Sequence, residues 1–255
     1  GHQAAYSITT ASWNSAFGYK ALHSCTTTAQ NTAIGNLAGQ YTTGSSNTAL
    51  GYKALSGASG STTGSNNTVI GEKAAEVATS MHSATLVGYR AGYVLTTGSE
   101  NDAVGFKALH SATTGGANSA FGHYALDAVT TGNYNVGIGG GALGSLTTGS
   151  LNLAIGYTAL SSLTTGSANI GIGKGATPSS NTVSNECTIG APNGTSEEIT
   201  SFRIPGCNFD LKDTTATEDY VLTVDANGKC GWEAAAGGGG GVTSDSYRNT
   251  LGGTN

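Results

Sequence analysis

Apolar and polar positions along this chain repeat with a long, fixed beat. The unit is Asn, a variable residue, a small residue, a large apolar residue and Gly. It occurs as Asn31-Thr32-Ala33-Ile34-Gly35, Asn47-Thr48-Ala49-Leu50-Gly51, Asn118-Ser119-Ala120-Phe121-Gly122 and Asn152-Leu153-Ala154-Ile155-Gly156, and Asn135 opens the unit that ends at Gly139. The closing glycines are Gly18, Gly35, Gly51, Gly71, Gly88, Gly105, Gly122, Gly139, Gly156, Gly173 and Gly190, spaced by 17, 16, 20 and then seven times 17 residues. Ala stands three residues after each of the first ten, from Ala21 to Ala176, and Thr-Thr-Gly precedes the next Asn in most units. Composition alone does not place ten such units in register, so the period is the primary signal.

Seventeen residues are too few for a helical-pair repeat, which needs about 33. The apolar positions do not recur at 3.6, and Thr and Gly disfavour helix. Two short strands and two turns fit instead. The Thr-Thr-Gly-x-x-Asn segment forms one turn, its Gly free to take φ > 0, and the Asn residues stack into an amide ladder. The expected fold is all-β: a parallel β-solenoid of about ten coils over residues 1–176, advancing roughly 4.8 Å per coil for a total near ~48 Å. Neighbouring strand residues face opposite sides, yet Ala33 and Ile34, Ala49 and Leu50, and Ala120 and Phe121 are all apolar. One side fills the coil; the other calls for a cover, and no helix is foreseen to supply it. The same strand from further copies around an axis is the simplest cover; the alternative is that Ala is tolerated at exposed sites. Two irregularities stand out. The 20-residue unit between Gly51 and Gly71 predicts a bulged turn, and Ala84 in place of Asn predicts a broken ladder rung.

Past the coils, residues 177–200 read as a transition. Residues 201–233 carry strand signals, including Tyr220 to Val224 and a hairpin turn at Asp225-Ala226-Asn227-Gly228 before Trp232. About 30 residues cannot bury a core alone, so this module is expected to intertwine with partner copies. Residues 234–241 form a Gly-rich linker, and 242–255 open a further module. The start without Met and the abrupt end suggest a piece of something longer.

Composition narrows the class. Of 255 residues 41 are Gly, and 10% are charged against about 25% in typical domains, which excludes a charged disordered tail. Gly does not recur every third residue, which excludes collagen. No run of 18 apolar residues offers a membrane span, and no signal peptide is visible. Residues 1–176 carry six Lys/Arg and five Asp/Glu, and residues 177–255 carry four and ten, so the charge of −5 divides as +1 and −6. Neither half has the basic footprint of a nucleic-acid binder. Cys25, Cys187, Cys207 and Cys230 lack CxxC spacing, so structural zinc is not expected. Free thiols are expected ahead of a Cys207–Cys230 pair.

The Asn-x-Ala-Ile-Gly repeat resembles the head repeat of the YadA-like trimeric autotransporter adhesins. The 17-residue form with Thr-Thr-Gly resembles repeats of phage tail fibres, those of cyanophages especially. So do Cys187-Thr188-Ile189-Gly190, Phe202-Arg203-Ile204-Pro205-Gly206 and Tyr220-Val221-Leu222-Thr223-Val224. The resemblance implies a homotrimer with a left-handed β-roll, displayed on a virion beside other tail or fibre proteins and meeting a host surface glycan. A bacterial surface adhesin is the alternative. An ice-binding solenoid ranks lower, because one Thr of each pair should point inward.

No catalytic constellation emerges, and no cofactor is expected. Gly137-Ile138-Gly139-Gly140-Gly141 imitates a dinucleotide loop, but no helix follows it. His23 and His110 share a repeat position five coils apart, roughly 24 Å, too far to share a metal, and are expected to be exposed. The carboxylates Glu72, Glu76, Glu100, Asp102 and Asp127 are sparse, and no nucleophile elbow is present. One stripe suggests recognition: Tyr19-Lys20, Tyr52-Lys53, Tyr89-Arg90 and Phe106-Lys107, continued loosely by His123-Tyr124 and Tyr157-Thr158. Stacked coils align these residues. Their rings suit sugars and their cations suit acidic glycans, but packing of the rings between subunits under the Lys stems is expected ahead of that.

Overall fold

The computed structural model describes residues 1–57 and 62–190, and the backbone of two further strands at 220–224 and 230–234. The chain divides into two units, Gly1–Ser201 and Phe202–Asn255. The first is a β-solenoid. Its strands are β1 (Ser15–Phe17), β2 (Thr32–Ile34), β3 (Thr48–Leu50), β4 (Thr68–Ile70), β5 (Thr85–Val87), β6 (Asp102–Val104), β7 (Ser119–Phe121), β8 (Val136–Ile138), β9 (Leu153–Ile155), β10 (Ile170–Ile172) and β11 (Cys187–Ile189). They form one parallel sheet in sequence order. Register repeats from coil to coil, as in Ser119↔Val136, Ala120↔Gly137 and Phe121↔Ile138.

Each coil holds one three-residue strand, not the two expected. The rest of the coil is turn, because the backbone bends too often to stay extended. Three non-Gly positions in a typical coil adopt left-handed backbone, for example Lys107, Leu109 and Ala117. The stack also runs past Ala176, since β10 and β11 pair in the same register.

The interior is narrow. The middle residue of each strand points inward, and the Ala three residues past the closing Gly is buried in every coil from Ala21 to Ala176. Volume is matched between these positions. Leu86 at a strand centre faces Gly92, where a Cβ would lie 2.8 Å from the Leu86 side chain. At Gly137 the strand centre is empty and Leu126 fills the space, 3.2 Å from where a Cβ would stand. Such matching is what a close-packed interior requires.

The Asn ladder forms. A buried Asn accepts through Oδ1 from a backbone N–H one coil on, usually that of the next Asn, as Asn118 does from Asn135 at 3.0 Å. It donates through Nδ2 to a backbone carbonyl, a Gly in most coils, as Asn135 does to Gly149 at 2.9 Å; in the coils of Asn67 and Asn169 the carbonyls are those of Met81 and Val183. Asn31, Asn47 and Asn152 repeat the pattern. At Ala84 the rung is broken: Ala84 N–H donates to Asn67, but Ala84 offers no acceptor to Asn101. The bulge expected in the 20-residue unit falls largely on residues 58–61, outside the described residues.

The glycines act differently from expectation. The Thr-Thr-Gly glycines do not take positive φ. The closing glycines do, as at Gly122, φ 137°. At Gly132, by contrast, a Cβ would fall on the Gly149 carbonyl oxygen of the next coil, so close stacking rather than φ requires Gly there. Gly35, Gly51, Gly71, Gly105, Gly139, Gly156 and Gly173 share the conformation of Gly122.

In the second unit, β12 (Tyr220–Val224) pairs antiparallel with β13 (Cys230–Ala234), Leu222 opposite Trp232. This agrees with the expected hairpin, whose turn lies outside the described residues, as do the rest of the small module, the linker and residues 242–255. Cys25 and Cys187 are free thiols; Cys207 falls outside the described residues. No helix among the described residues is long and apolar enough to cross a membrane.

Candidate binding surface

The solenoid turns every repeat position into a column along the stacking axis, so the chemistry of the surface is a set of columns. The residue before the closing Gly points outward. Ile34, Leu50, Val104, Phe121, Ile138, Ile155 and Ile172 lie there, each between 37% and 43% exposed. An apolar band therefore runs nearly the whole length of the stack. A strand whose two sides are both apolar has one side dry and one side half-open in the single chain.

On the far side of the closing Gly lies the aromatic column. The structure aligns the expected stripe but breaks it into runs. Tyr19 stacks on His2 at 5.9 Å, and Asn36 separates it from Tyr52. Glu72 separates Tyr52 from Tyr89. Gly140 separates His123 from Tyr157, and the His123 ring leans across that gap to within 6.3 Å of Tyr157. One run is compact: Tyr89 stacks on Phe106 at 5.2 Å, and Phe106 meets Tyr124 edge-on at 5.3 Å. Tyr89 and Phe106 turn faces toward each other across the coils, which leaves their rims, the positive part of the ring quadrupole, at the sides of the stack, whereas Tyr124 stands nearly perpendicular to Phe106.

The cations lie across these rings. Lys20 sits over Tyr19 at 5.4 Å, Lys53 over Tyr52 at 5.7 Å and Arg90 over Tyr89 at 5.3 Å. Lys107 bridges Phe106 at 5.7 Å and Tyr124 at 5.6 Å. All fall in cation–π range. Lys53 also donates to Glu76 at 2.8 Å. That hydrogen bond, together with the Glu76 charge, raises the Lys53 pKa, against a smaller lowering by burial.

A third column lies five residues past the closing Gly, and the sequence reading missed most of it. Tyr93 stacks on His110 at 5.4 Å and Arg90 lies over Tyr93 at 5.1 Å. His110 Nδ1 is 3.9 Å from Asp127 Oδ1. Tyr6 stacks on His23 in the same way. His110 is therefore half-buried, contrary to the expectation of an exposed ring. Burial holds its pKa below the usual histidine value despite the pull of Asp127, so the pair is not an ion pair at neutral pH. Burial likewise raises Asp127, opposed by His110 and Lys107. The 17-residue offsets of Tyr93, His110 and Asp127 were the available signal.

Two further ladders were also missed. The first Thr of each pair donates to the next coil's backbone, as Thr96 Oγ1 does to Thr113 O at 2.9 Å. A Ser column accepts backbone N–H groups, as Ser150 Oγ does from Asn133 at 3.0 Å. In most Thr-Thr-Gly units the second Thr is the exposed one, for example Thr97, Thr131 and Thr148.

Together these features define a β-solenoid repeat protein with an apolar band and a cation–aromatic stripe. Compared with protein-family models, curated proteins and solved structures, the chain matches none.

Proposed function

We propose that the chain is a structural and adhesive segment of a homotrimeric fibre, of the kind carried on phage tails, displayed outside the cell and without catalysis of its own. The observation that supports this is the apolar band. Large side chains recur at the same outward position in coil after coil, and exposed apolar stripes of such length are rare in monomers. Three copies packed around an axis bury the band on all three at once, and cyclic symmetry presents identical outer surfaces. The mechanism is mechanical and multivalent: a rod held by backbone, Asn, Thr and Ser ladders spaces three equal faces, raising avidity without tight single contacts. Light scattering on the purified chain tests it. The chain weighs 25.2 kDa, and the expected particle is three times that. Ile138→Asp combined with Ile155→Asp should reduce the mass to one chain. A wild-type particle of single-chain mass at micromolar concentration refutes the assembly.

A further inference from the structure

Two residues past each closing Gly the backbone is left-handed. Lys53, Lys73, Arg90 and Lys107 occupy this position in four successive coils, with φ of 56°, 58°, 54° and 52°. The conformation crowds the Cβ of any L-residue and suits Gly, and Gly stands in the same column at Gly141 and Gly175, φ 68° and 65°. The next left-handed column holds Leu55, Leu109 and Leu126, which have a structural reason to be there: they fill the core. The four cations fill no part of the core; Lys53, Arg90 and Lys107 lie over rings of the neighbouring column. They lie half-buried on the outside, one coil apart at roughly 4.8 Å, where like charges repel. Among the described residues, Lys53 alone of the four has a carboxylate at salt-bridge distance. The buried Nε of Arg90 has no hydrogen-bond partner. Leu37, Tyr124 and Thr158 take the same conformation in other coils, so what sets these four apart is a run of like charge in successive coils.

We propose that Lys73, Arg90 and Lys107, with the rims of the stacked Tyr89 and Phe106, form a track for a linear acidic polysaccharide carrying one carboxylate per sugar residue, laid parallel to the stacking axis. The proposal rests on the reading of the chain as an adhesive segment and supplies the chemistry of its ligand. Three observations converge on that chemistry. The row repeats at the coil spacing, close to the length of one pyranose residue in an extended chain, so successive carboxylates meet successive cations. The ring rims carry partial positive charge and favour the same anions. The ring faces are occupied by each other and by the cations, so charge rather than sugar stacking governs the contact. Two carboxylates oppose it: exposed Glu72, in the aromatic column between Tyr52 and Tyr89, and Asp127, beside His110. The apolar band is left to the partner copies.

Calorimetry with sodium polygalacturonate tests the proposal, with neutral dextran and single-stranded DNA as comparison ligands. Polygalacturonate should bind at low ionic strength and dissociate near 1 M salt, where the Debye length is about 3 Å. The triple variant Lys73→Gln, Arg90→Gln, Lys107→Gln should bind at least about tenfold more weakly, from three exposed charge contacts of modest strength each. Glu72→Gln should bind about twofold more tightly, as loss of one exposed like charge, a gain that a merely structural role would not produce. The proposal is overturned if the triple variant, with a native circular-dichroism spectrum, binds as the wild type does, or if wild type fails to bind polygalacturonate. Equal binding of dextran or DNA overturns the polysaccharide assignment. Light scattering on the same sample judges the trimer separately, so either reading can fail alone.

Discussion

Replacing Asn135 by Ala removes one rung from the middle of the ladder. Asn135 Nδ2 donates to Gly149 O at 2.9 Å and to Asn118 Oδ1 at 3.1 Å. Its Oδ1 accepts from Asn152 N at 3.1 Å and from Asn152 Nδ2 at 3.0 Å. Asn118 Oδ1 keeps the Asn135 backbone N–H, and Asn152 Nδ2 keeps the Gly166 carbonyl. Two buried groups lose their partner: the Gly149 carbonyl and the Asn152 N–H. An orphaned buried group costs about 1–3 kcal/mol, and a neutral hydrogen bond contributes about 1 kcal/mol net. The expected loss is therefore roughly 3–5 kcal/mol, a large part of a domain's ~5–15 kcal/mol. With a urea m-value of about 2 kcal/mol/M, the midpoint should fall by about 2 M. Urea titration followed by circular dichroism, at one protein concentration because assembly adds to stability, measures it. A fall under about 0.5 M at unchanged m would refute the claim that the amide ladder holds the coils together.

The broken rung offers the reverse experiment: Ala84→Asn places an acceptor opposite the Asn101 N–H and should raise stability by about 1 kcal/mol in the same titration. Gly132→Ala drives a Cβ into the Gly149 carbonyl and should cost more than about 2 kcal/mol, among the larger single-residue effects; stability equal to wild type would mean the coils can spread apart. Asp127→Asn should lower the His110 pKa further, because that carboxylate is the group raising it against burial, as followed by imidazole NMR titration. The sign for stability follows from the lowered His110 value. Below the usual histidine pKa the unfolded chain takes up a proton that the folded chain resists, so this contribution is complete above pH ~6.5 and is lost on acidification. Asp127, raised by burial, acts oppositely: its ionisation weighs on the fold as pH rises through the carboxylate range.

The period and its consequences were legible because one-dimensional stacking repeats every interaction. The ladder of Asn118, Asn135 and Asn152, the buried Ala column and the gap at Ala84 follow from counting residues. The turn geometry was not legible. Lys107, Leu109 and Ala117 hold left-handed backbone although their side chains carry no preference for it, and the stacking constraint overrides their propensity. For the same reason the Thr-Thr-Gly glycine was assigned to φ when contact with the next coil is what selects it. The aromatic stripe was read as continuous, yet Asn36, Glu72 and Gly140 interrupt it. The His110–Tyr93 stack was missed because neither residue belongs to the consensus.

The interior explains why the outside of such a rod is expected to be occupied. Apart from Leu and the occasional Val or Met, each coil buries mainly alanines and an amide, a small apolar area for about 17 ordered residues, each of which gives up backbone freedom on folding. A wider coil would bury more, but the Cβ-free approach at Gly132 and its equivalents holds successive turns close, and the volume match of Leu86 with Gly92 leaves no room for larger side chains. The ladders add to this, and in the proposed assembly so would the outer band of Ile34, Leu50, Phe121, Ile138 and Ile155. The ladders act only along the axis, between one coil and the next. The band is the feature able to add apolar burial across the axis. The proposed assembly of copies and the narrowness of the coil are thus two consequences of the same short repeat.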